Sequence, residues 1–171
     1  RIGGIILTDM LKNCQLCPRA CGADRTKSRG ACGAGIEIEA ARASLHMWEE
    51  PPISGTNGSG TVFFSHCSLG CVFCQNRKIS RREAEGQNIT ADALAKTFLS
   101  LEKKGAHNIN LVTGAHYVPQ IIEALQIARK QGLSLPVVYN SSGYEQVETL
   151  QMLDGHIDVY LPDYKYYSSY Y

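Results

Sequence analysis

No apolar run in this chain approaches the length needed to cross a bilayer, and Arg1-Ile2-Gly3-Gly4-Ile5-Ile6-Leu7 is too short and interrupted for a secretory signal. Neither sign of charge dominates: 17 Lys and Arg face 16 Asp and Glu, a net charge of +1. That balance gives no nucleic-acid and no membrane footprint. A phosphate loop is missing too. Gly55-Thr56-Asn57-Gly58-Ser59-Gly60 is glycine-rich, but it lacks the loop's lysine and precedes a strand, so it reads as a turn. The cysteines lack the even count of a disulfide scaffold; there are seven, in two tight groups. Such usage suits a reducing compartment with thiolate-bound metal, and the expectation is a cytoplasmic protein. A length of 171 residues suffices for one domain with a real core. The chain does not open with Met, which points to a processed or trimmed piece.

What stands out is Cys67-Ser68-Leu69-Gly70-Cys71-Val72-Phe73-Cys74, directly after the apolar run Thr61-Val62-Phe63-Phe64-Ser65 that reads as a buried strand. A cubane iron–sulfur cluster normally takes one thiolate on each iron. Three thiolates would leave one iron open to bind a small molecule and pass it an electron. Three competitors share the spacing. Positions 67, 71 and 74 would lie on one helix face, but Gly70 and the preceding strand argue for a loop. Structural zinc usually takes four ligands from two separated pairs. Three cysteines in one short loop cannot all pair as local disulfides.

The second thiol group is Cys14-Gln15-Leu16-Cys17-Pro18-Arg19-Ala20-Cys21, followed by Cys32 in a Gly-rich stretch. Four thiols with one C-x2-C pair can form a tetrahedral site and hold a loop-rich segment together. A four-thiolate zinc site and a second iron–sulfur cluster are both chemically reasonable, although the spacing is not that of a bacterial ferredoxin run. Four reduced thiols, or a Cys14–Cys17 redox pair without metal, remain the plain alternatives. The chain divides on this pattern into a Cys-rich segment, 1–57, and a larger unit, 58–171.

Beyond residue 60 the pattern becomes α/β. Strands are predicted at Thr61–Ser65, Ile109–Thr113, Leu135–Asn140 and Ile157–Leu161. Helices are predicted from Thr90, a capping residue, to Leu101, from Val118 to Gln131 before Gly132, and from Tyr144 to Leu153. Alternating strands and helices imply right-handed βαβ units and a parallel sheet, with ligands gathered at the carboxyl ends of the strands. The cluster cysteines, Thr113 to His116, Asn140 to Gly143 and Asp163 to Lys165 all fall at that rim. His66 could hydrogen-bond toward a cluster, though a plain loop histidine fits as well. The basic run Arg77, Lys78, Arg81 and Arg82 reads as a solvated face or a landing site for an acidic electron donor.

Cys67-x3-Cys71-x2-Cys74, with Phe73 before the last cysteine, resembles the cluster motif of the radical S-adenosylmethionine (radical SAM) superfamily. Glu49-Glu50-Pro51-Pro52-Ile53-Ser54-Gly55, Cys74-Gln75-Asn76, His116-Tyr117-Val118-Pro119 and Leu161-Pro162-Asp163-Tyr164-Lys165 resemble its pyruvate formate-lyase activating enzyme-like branch. The resemblance implies an open (β/α)6 barrel. Four strands and three helices from Thr61 onward make it a partial one, truncated at the C-terminus, where Asp163 to Tyr171 carries five tyrosines. It implies a [4Fe–4S] cluster on Cys67, Cys71 and Cys74 whose fourth iron chelates S-adenosylmethionine. Reductive cleavage then gives methionine and a 5′-deoxyadenosyl radical that abstracts hydrogen from a substrate, a glycyl radical enzyme among the candidates. Phe73 and Asn76 would contact the adenine end. Thr113, Gly114, Ala115 and His116 stand where most members carry a Gly-Gly-Glu-like stretch, with no carboxylate among them. Asn140, Ser141 and Ser142 would contact ribose, and Asp163 and Lys165 the methionine carboxylate. Reduced flavodoxin or ferredoxin would supply the electron, and an open barrel would admit a protein or peptide substrate. The alternative from another class is a non-catalytic zinc protein using both cysteine groups.

Overall fold

The computed structural model describes residues 7–165 and Ser168; the expected tyrosine-rich end, Tyr166, Tyr167, Tyr170 and Tyr171, lies outside them. Elements run α1 (Leu7–Lys12), β1 (Ile38–His46), α2 (Pro51–Ser54), β2 (Ser59–Phe64), α3 (Arg77–Ser80), β3 (Gln87–Ile89), α4 (Ala91–Lys103), β4 (Ile109–Val112), α5 (Val118–Lys130), β5 (Val137–Ser141), α6 (Val147–Met152) and β6 (Val159–Pro162), with a 3-10 turn, Ala115–Tyr117, between β4 and α5. They form a mixed α/β fold on one six-stranded sheet in the order β3-β1-β2-β4-β5-β6.

The parallel half follows from the apolar runs. β2 pairs with β4, β4 with β5, and β5 with β6, all parallel. Their crossovers are helices that bury one stripe. In α4 the buried residues Leu94, Ala95, Phe98 and Leu101 recur at helical spacing, and the Thr90 side chain accepts from the Ala93 N–H at 3.2 Å. Pro119 stands in the first turn of α5, where its missing N–H has no helical partner to lose. These stripes and Leu150 and Leu153 of the third crossover pack with Val62, Phe64, Ile109, Leu111, Val137 and Tyr139 into the main core.

Register puts different residues on the opposite sheet face. Ser44 pairs with Thr61, Thr61 with Asn110, Asn110 with Val138, Phe63 with Val112, and Val112 with Asn140. Cross-strand partners share a face, so this side carries hydroxyls and amides where the helix side is mainly apolar.

Two features depart from the sequence expectation. β1 and β3 add an antiparallel pair to the sheet edge. Ile38-Glu39-Ala40-Ala41-Arg42 favours helix on propensity alone, and pairing with β2 overrides that preference. The last helix begins at Val147, not Tyr144, because Gln146 is extended and Glu145 is drawn back to Ser141 and Tyr139.

Candidate active site at the strand ends

Phe64 ends β2, and the chain leaves the sheet through His66 in the left-handed region at φ 70°. Residues 67–74 form no helix; they make a loop with a second left-handed residue at Gly70, φ 70°. The helix-face reading of the three cysteines therefore gives way to the loop. Cys67, Cys71 and Cys74 are half-buried, and all seven cysteines are free thiols. The Leu69 N–H donates to Cys67 Sγ at 3.4 Å, and Cys74 Sγ lies 3.3 Å from Ser80 Oγ.

Two arginines hold this loop by its backbone. Arg81 donates from Nη1 to Gly70 O and from Nη2 to Cys71 O, both at 3.0 Å. Arg19 donates from Nε to Ser68 O and from Nη2 to Leu69 O, the second at 3.3 Å. The basic run after the cluster loop is thus not uniformly solvated: Arg77, Lys78 and Arg82 are exposed, while Arg81 is spent on the loop. A cavity of about 700 Å³ opens beside it, lined by Asn76, Arg77, Lys78 and Arg81 among others.

Beneath the loop lies a buried polar array. His66 is fully buried, and its Nε2 stands 3.0 Å from Glu39 Oε2 while Nδ1 faces the Arg81 carbonyl at 3.3 Å. Arg29 Nη1 reaches Glu39 Oε1 at 2.6 Å and the Gly33 carbonyl at 2.6 Å. Gly33 is required here: its φ is 102°, and a Cβ would fall 2.7 Å from Arg82 O and 2.8 Å from His66 Nδ1.

The neighbouring strand ends bring up the other expected residues. Thr113 follows β4 at φ 60°, an uncommon conformation for a β-branched residue, and its N–H donates to Asn140 O at 3.0 Å. Gly114 and Ala115 are buried in the turn that follows. His116 is 1% exposed and lies in the interior, its Nε2 donating to Ser65 O at 2.9 Å. Because that carbonyl can only accept, the proton sits on Nε2, and Nδ1 is left without a partner among the described residues. Ser141 donates to Glu145 Oε1 at 2.7 Å, and Asn140 donates to Glu49 Oε2 at 3.3 Å, so both side chains are engaged within the fold. Ser142 is half-buried on the same turn. Lys165 is paired with Asp163 and lies within electrostatic reach of Cys71 and Cys74. Burial opposes its charge, but Asp163 and the two thiols hold its pKa above the ordinary value. Phe73, 58% exposed, and Asn76, exposed at the start of α3, flank the last cysteine.

Glu49 is a residue the sequence did not single out for a role. Its carboxylate accepts from Asn110 at 2.8 Å as well as from Asn140, on the helix-free side of β4 and β5. Burial, then the neighbouring Glu50, raises its pKa.

Burial pushes the His116 ring down to about 3 from its ordinary 6.5; the Ser65 hydrogen bond opposes this and the charges of Arg25 and His66 add to it. Below about pH 6.5 the unfolded chain therefore binds a proton that the folded chain does not. Stability present above that pH is lost as the pH falls, at about 1.4 kcal/mol per unit from this group alone. Urea unfolding at about pH 7 and about pH 5 should show this loss, and His116→Gln should flatten the dependence. An unchanged slope in the variant would assign the pH effect elsewhere.

These strand ends define a class: an α/β protein with three free thiols on a clamped loop at the carboxyl edge of its parallel strands. Residues 61–166 match the profile of the Radical SAM superfamily. The chain belongs to the radical SAM superfamily, whose members use a [4Fe–4S] cluster and S-adenosylmethionine. An uncharacterized protein of Methanocaldococcus jannaschii is 31% identical over 166 residues, which cover 94% of this chain and 48% of that protein. The chain thus spans about half the length of that curated relative. No solved structure matches. No helix among the described residues is long and apolar enough to cross a membrane.

The donor set fits such a cluster: three free thiols on one loop, with a backbone hydrogen bond already aimed at Cys67 Sγ and the Ser80 hydroxyl beside Cys74 Sγ. Among the described residues no three Cys, His, Asp or Glu side chains stand at metal-ligand spacing.

Proposed function

We propose that this chain is the core of a radical SAM enzyme in which Cys67, Cys71 and Cys74 hold the cluster. When bound, the cluster and S-adenosylmethionine supply a 5′-deoxyadenosyl radical by reductive carbon–sulfur cleavage, and that radical abstracts hydrogen from a substrate. The observation that carries this reading is the clamped loop of three free thiols after β2, at the edge where α/β folds collect ligands.

The chain's own residues then take the following parts. Arg81 and Arg19 fix the path of the loop backbone, which sets the direction of the three thiols. Lys165, already near Cys71 and Cys74, offers a cation to the carboxylate of the methionine moiety, with Asp163 holding it in place. Thr113, Gly114 and Ala115 present backbone to the methionine amino group in place of a carboxylate-bearing motif. Phe73 covers the adenine, with Asn76 beside it. Asn140, Ser141 and Ser142 contribute at the ribose through the turn backbone, since the Asn140 and Ser141 side chains serve Glu49 and Glu145. His116, being buried, supports the end of β2 through Ser65. Glu49, Asn110 and Asn140 form the polar floor of an open-sided barrel whose wall is the helix-free sheet face. Such a wall suits a protein or peptide substrate, and activation of a glycyl radical enzyme is the finer reading. The exposed cations Arg77, Lys78 and Arg82 beside the cluster loop suit docking of an acidic donor, reduced flavodoxin or ferredoxin.

The test is the electron paramagnetic resonance spectrum of the reconstituted, dithionite-reduced protein before and after S-adenosylmethionine. A shifted spectrum is expected, because the cofactor would bind at the iron that lacks a protein thiolate. Lys165→Ala should raise the concentration needed for that shift at least about tenfold, the equivalent of a lost charge-assisted contact of about 1.4 kcal/mol or more. An unchanged spectrum at saturating cofactor would contradict the reading.

A further inference from the structure

The proposed chemistry leaves the N-terminal thiols unused. Cys14, Cys17 and Cys21 lie on the loop after α1, and Cys32 lies on the next glycine-rich turn. The loop closes on itself: the Cys14 N–H donates to Ala23 O at 3.1 Å, and the Gly22 N–H returns to Cys14 O at 3.0 Å. Cys14, Cys17 and Cys32 become buried, at 6%, 8% and 8% exposure, and Cys21 remains exposed. Cys17 lies in the field of Cys14 and Cys21, and Cys32 in that of Cys17 and Cys14. A Cβ on Gly30 would lie 3.5 Å from Cys32 Sγ and 3.8 Å from Cys21 Sγ, so both sulfurs flank one glycine.

The Ala34 N–H donates to Cys32 Sγ at 3.4 Å, and Cys21 Sγ lies 4.0 Å from the Cys14 carbonyl.

A second, independent observation is the buried cation beside them. Arg25 is 2% exposed. Its guanidinium donates to the carbonyls of Gly35 and His116 and lies over the Tyr117 ring at 5.5 Å. Among the described residues no carboxylate pairs with it. A buried charge with hydrogen bonds but no counter-charge is costly. Three thiols stand in its field: Cys14 Sγ at 3.9 Å from Nη1, and Cys21 and Cys32.

We propose that Cys14, Cys17, Cys21 and Cys32 form a four-thiolate zinc site with Arg25 as its buried counter-charge. Zinc favours closed tetrahedral sites of this composition, and a zinc ion with four thiolates carries two net negative charges, one of which Arg25 offsets. The spacing of these cysteines is not that of a bacterial ferredoxin run, which favours a single ion over a four-iron cube. In such a site each sulfur would stand about 2.3 Å from the ion.

The site also has a mechanical consequence. Arg19 lies between Cys17 and Cys21 and holds Ser68 and Leu69, inside the loop of the three cluster thiols. Gly33, next to Cys32, is pressed against His66. Zinc would fix both contacts and so brace the cluster loop. The zinc site stands apart from the radical reading; only the bracing role rests on it.

The test uses the full chain carrying Cys67→Ala, Cys71→Ala and Cys74→Ala together, which removes the other thiol group and leaves this one whole. Metal analysis of the folded protein should find one zinc per chain and no stoichiometric iron or sulfide. Mercurial titration of the thiols should release the zinc, and cobalt exchange should give thiolate-to-cobalt charge-transfer bands of a tetrahedral site. Losing an outer partner of a metal ligand costs about 10–100-fold in affinity, so Cys21→Ser on this background should weaken zinc by at least that much in chelator competition. Folded protein that neither carries nor takes up zinc would overturn the proposal. Iron with sulfide in place of zinc would overturn it as well, in favour of a second cluster. Unchanged zinc affinity in Cys21→Ser would remove that residue and the four-thiolate site with it. Should Cys21→Ser fail to fold, the cobalt spectrum of the parent variant still decides.

Discussion

Cys71→Ala is expected to leave the reconstituted protein without its cluster. Iron and sulfide should fall from about four of each at the Cys67–Cys74 loop to background, since two thiolates do not retain a cubane in water. Cys67→Ala and Cys74→Ala should behave alike, because each removes one of the three thiols of this loop. Anaerobic iron and sulfide analysis, with circular dichroism to show that the fold persists, checks this. A cluster that survives each single replacement would place the ligands elsewhere.

Glu39→Ala is expected to cause the largest loss of stability outside the apolar core. The Glu39 carboxylate is buried and holds His66 and Arg29 at once. Removing it takes the carboxylate from a fully buried imidazole and from Arg29, and leaves Arg29 Nη1 and His66 Nε2, 3.2 Å apart, without the anion between them. Breaking a buried pair by deleting one partner costs about 3–5 kcal/mol. Glu39→Gln keeps an acceptor and should lose about 1–3 kcal/mol. The damage should reach the site, because His66 precedes Cys67 and the Ser65 N–H donates to the Glu39 carbonyl at 2.8 Å. Urea unfolding of the metal-free protein measures the first effect, and the rate of iron loss to a chelator measures the second. A change below about 1 kcal/mol in Glu39→Ala would mean that the array under the loop carries little weight.

The parts of the fold legible in the sequence were those written in local pattern. Four short apolar runs became the four parallel strands, and the Thr90 cap and Gly132 stop bracketed two helices. β1 was not legible, because its alanines, glutamate and arginine carry no strand signal and its register is imposed by β2. The cysteine loop was legible because three thiols in so short a span have few uses. The residues that hold it were not. Arg19 meets Ser68 across 49 positions, Arg25 meets His116 across 91, and Glu49 meets Asn110 across 61. No local window records such contacts. His116 shows the same limit from the other side: its sequence position suggests the rim, while packing against Ser65 and Tyr117 draws it into the interior.

The most direct test of the central claim is 5′-deoxyadenosine formation. The full chain is reconstituted anaerobically with iron and sulfide, reduced with dithionite and given S-adenosylmethionine. Radical SAM chemistry predicts 5′-deoxyadenosine and methionine in equal amounts, both lost in Cys67→Ala. A chain that binds a full cluster and S-adenosylmethionine, yet forms no 5′-deoxyadenosine under these conditions, would contradict it.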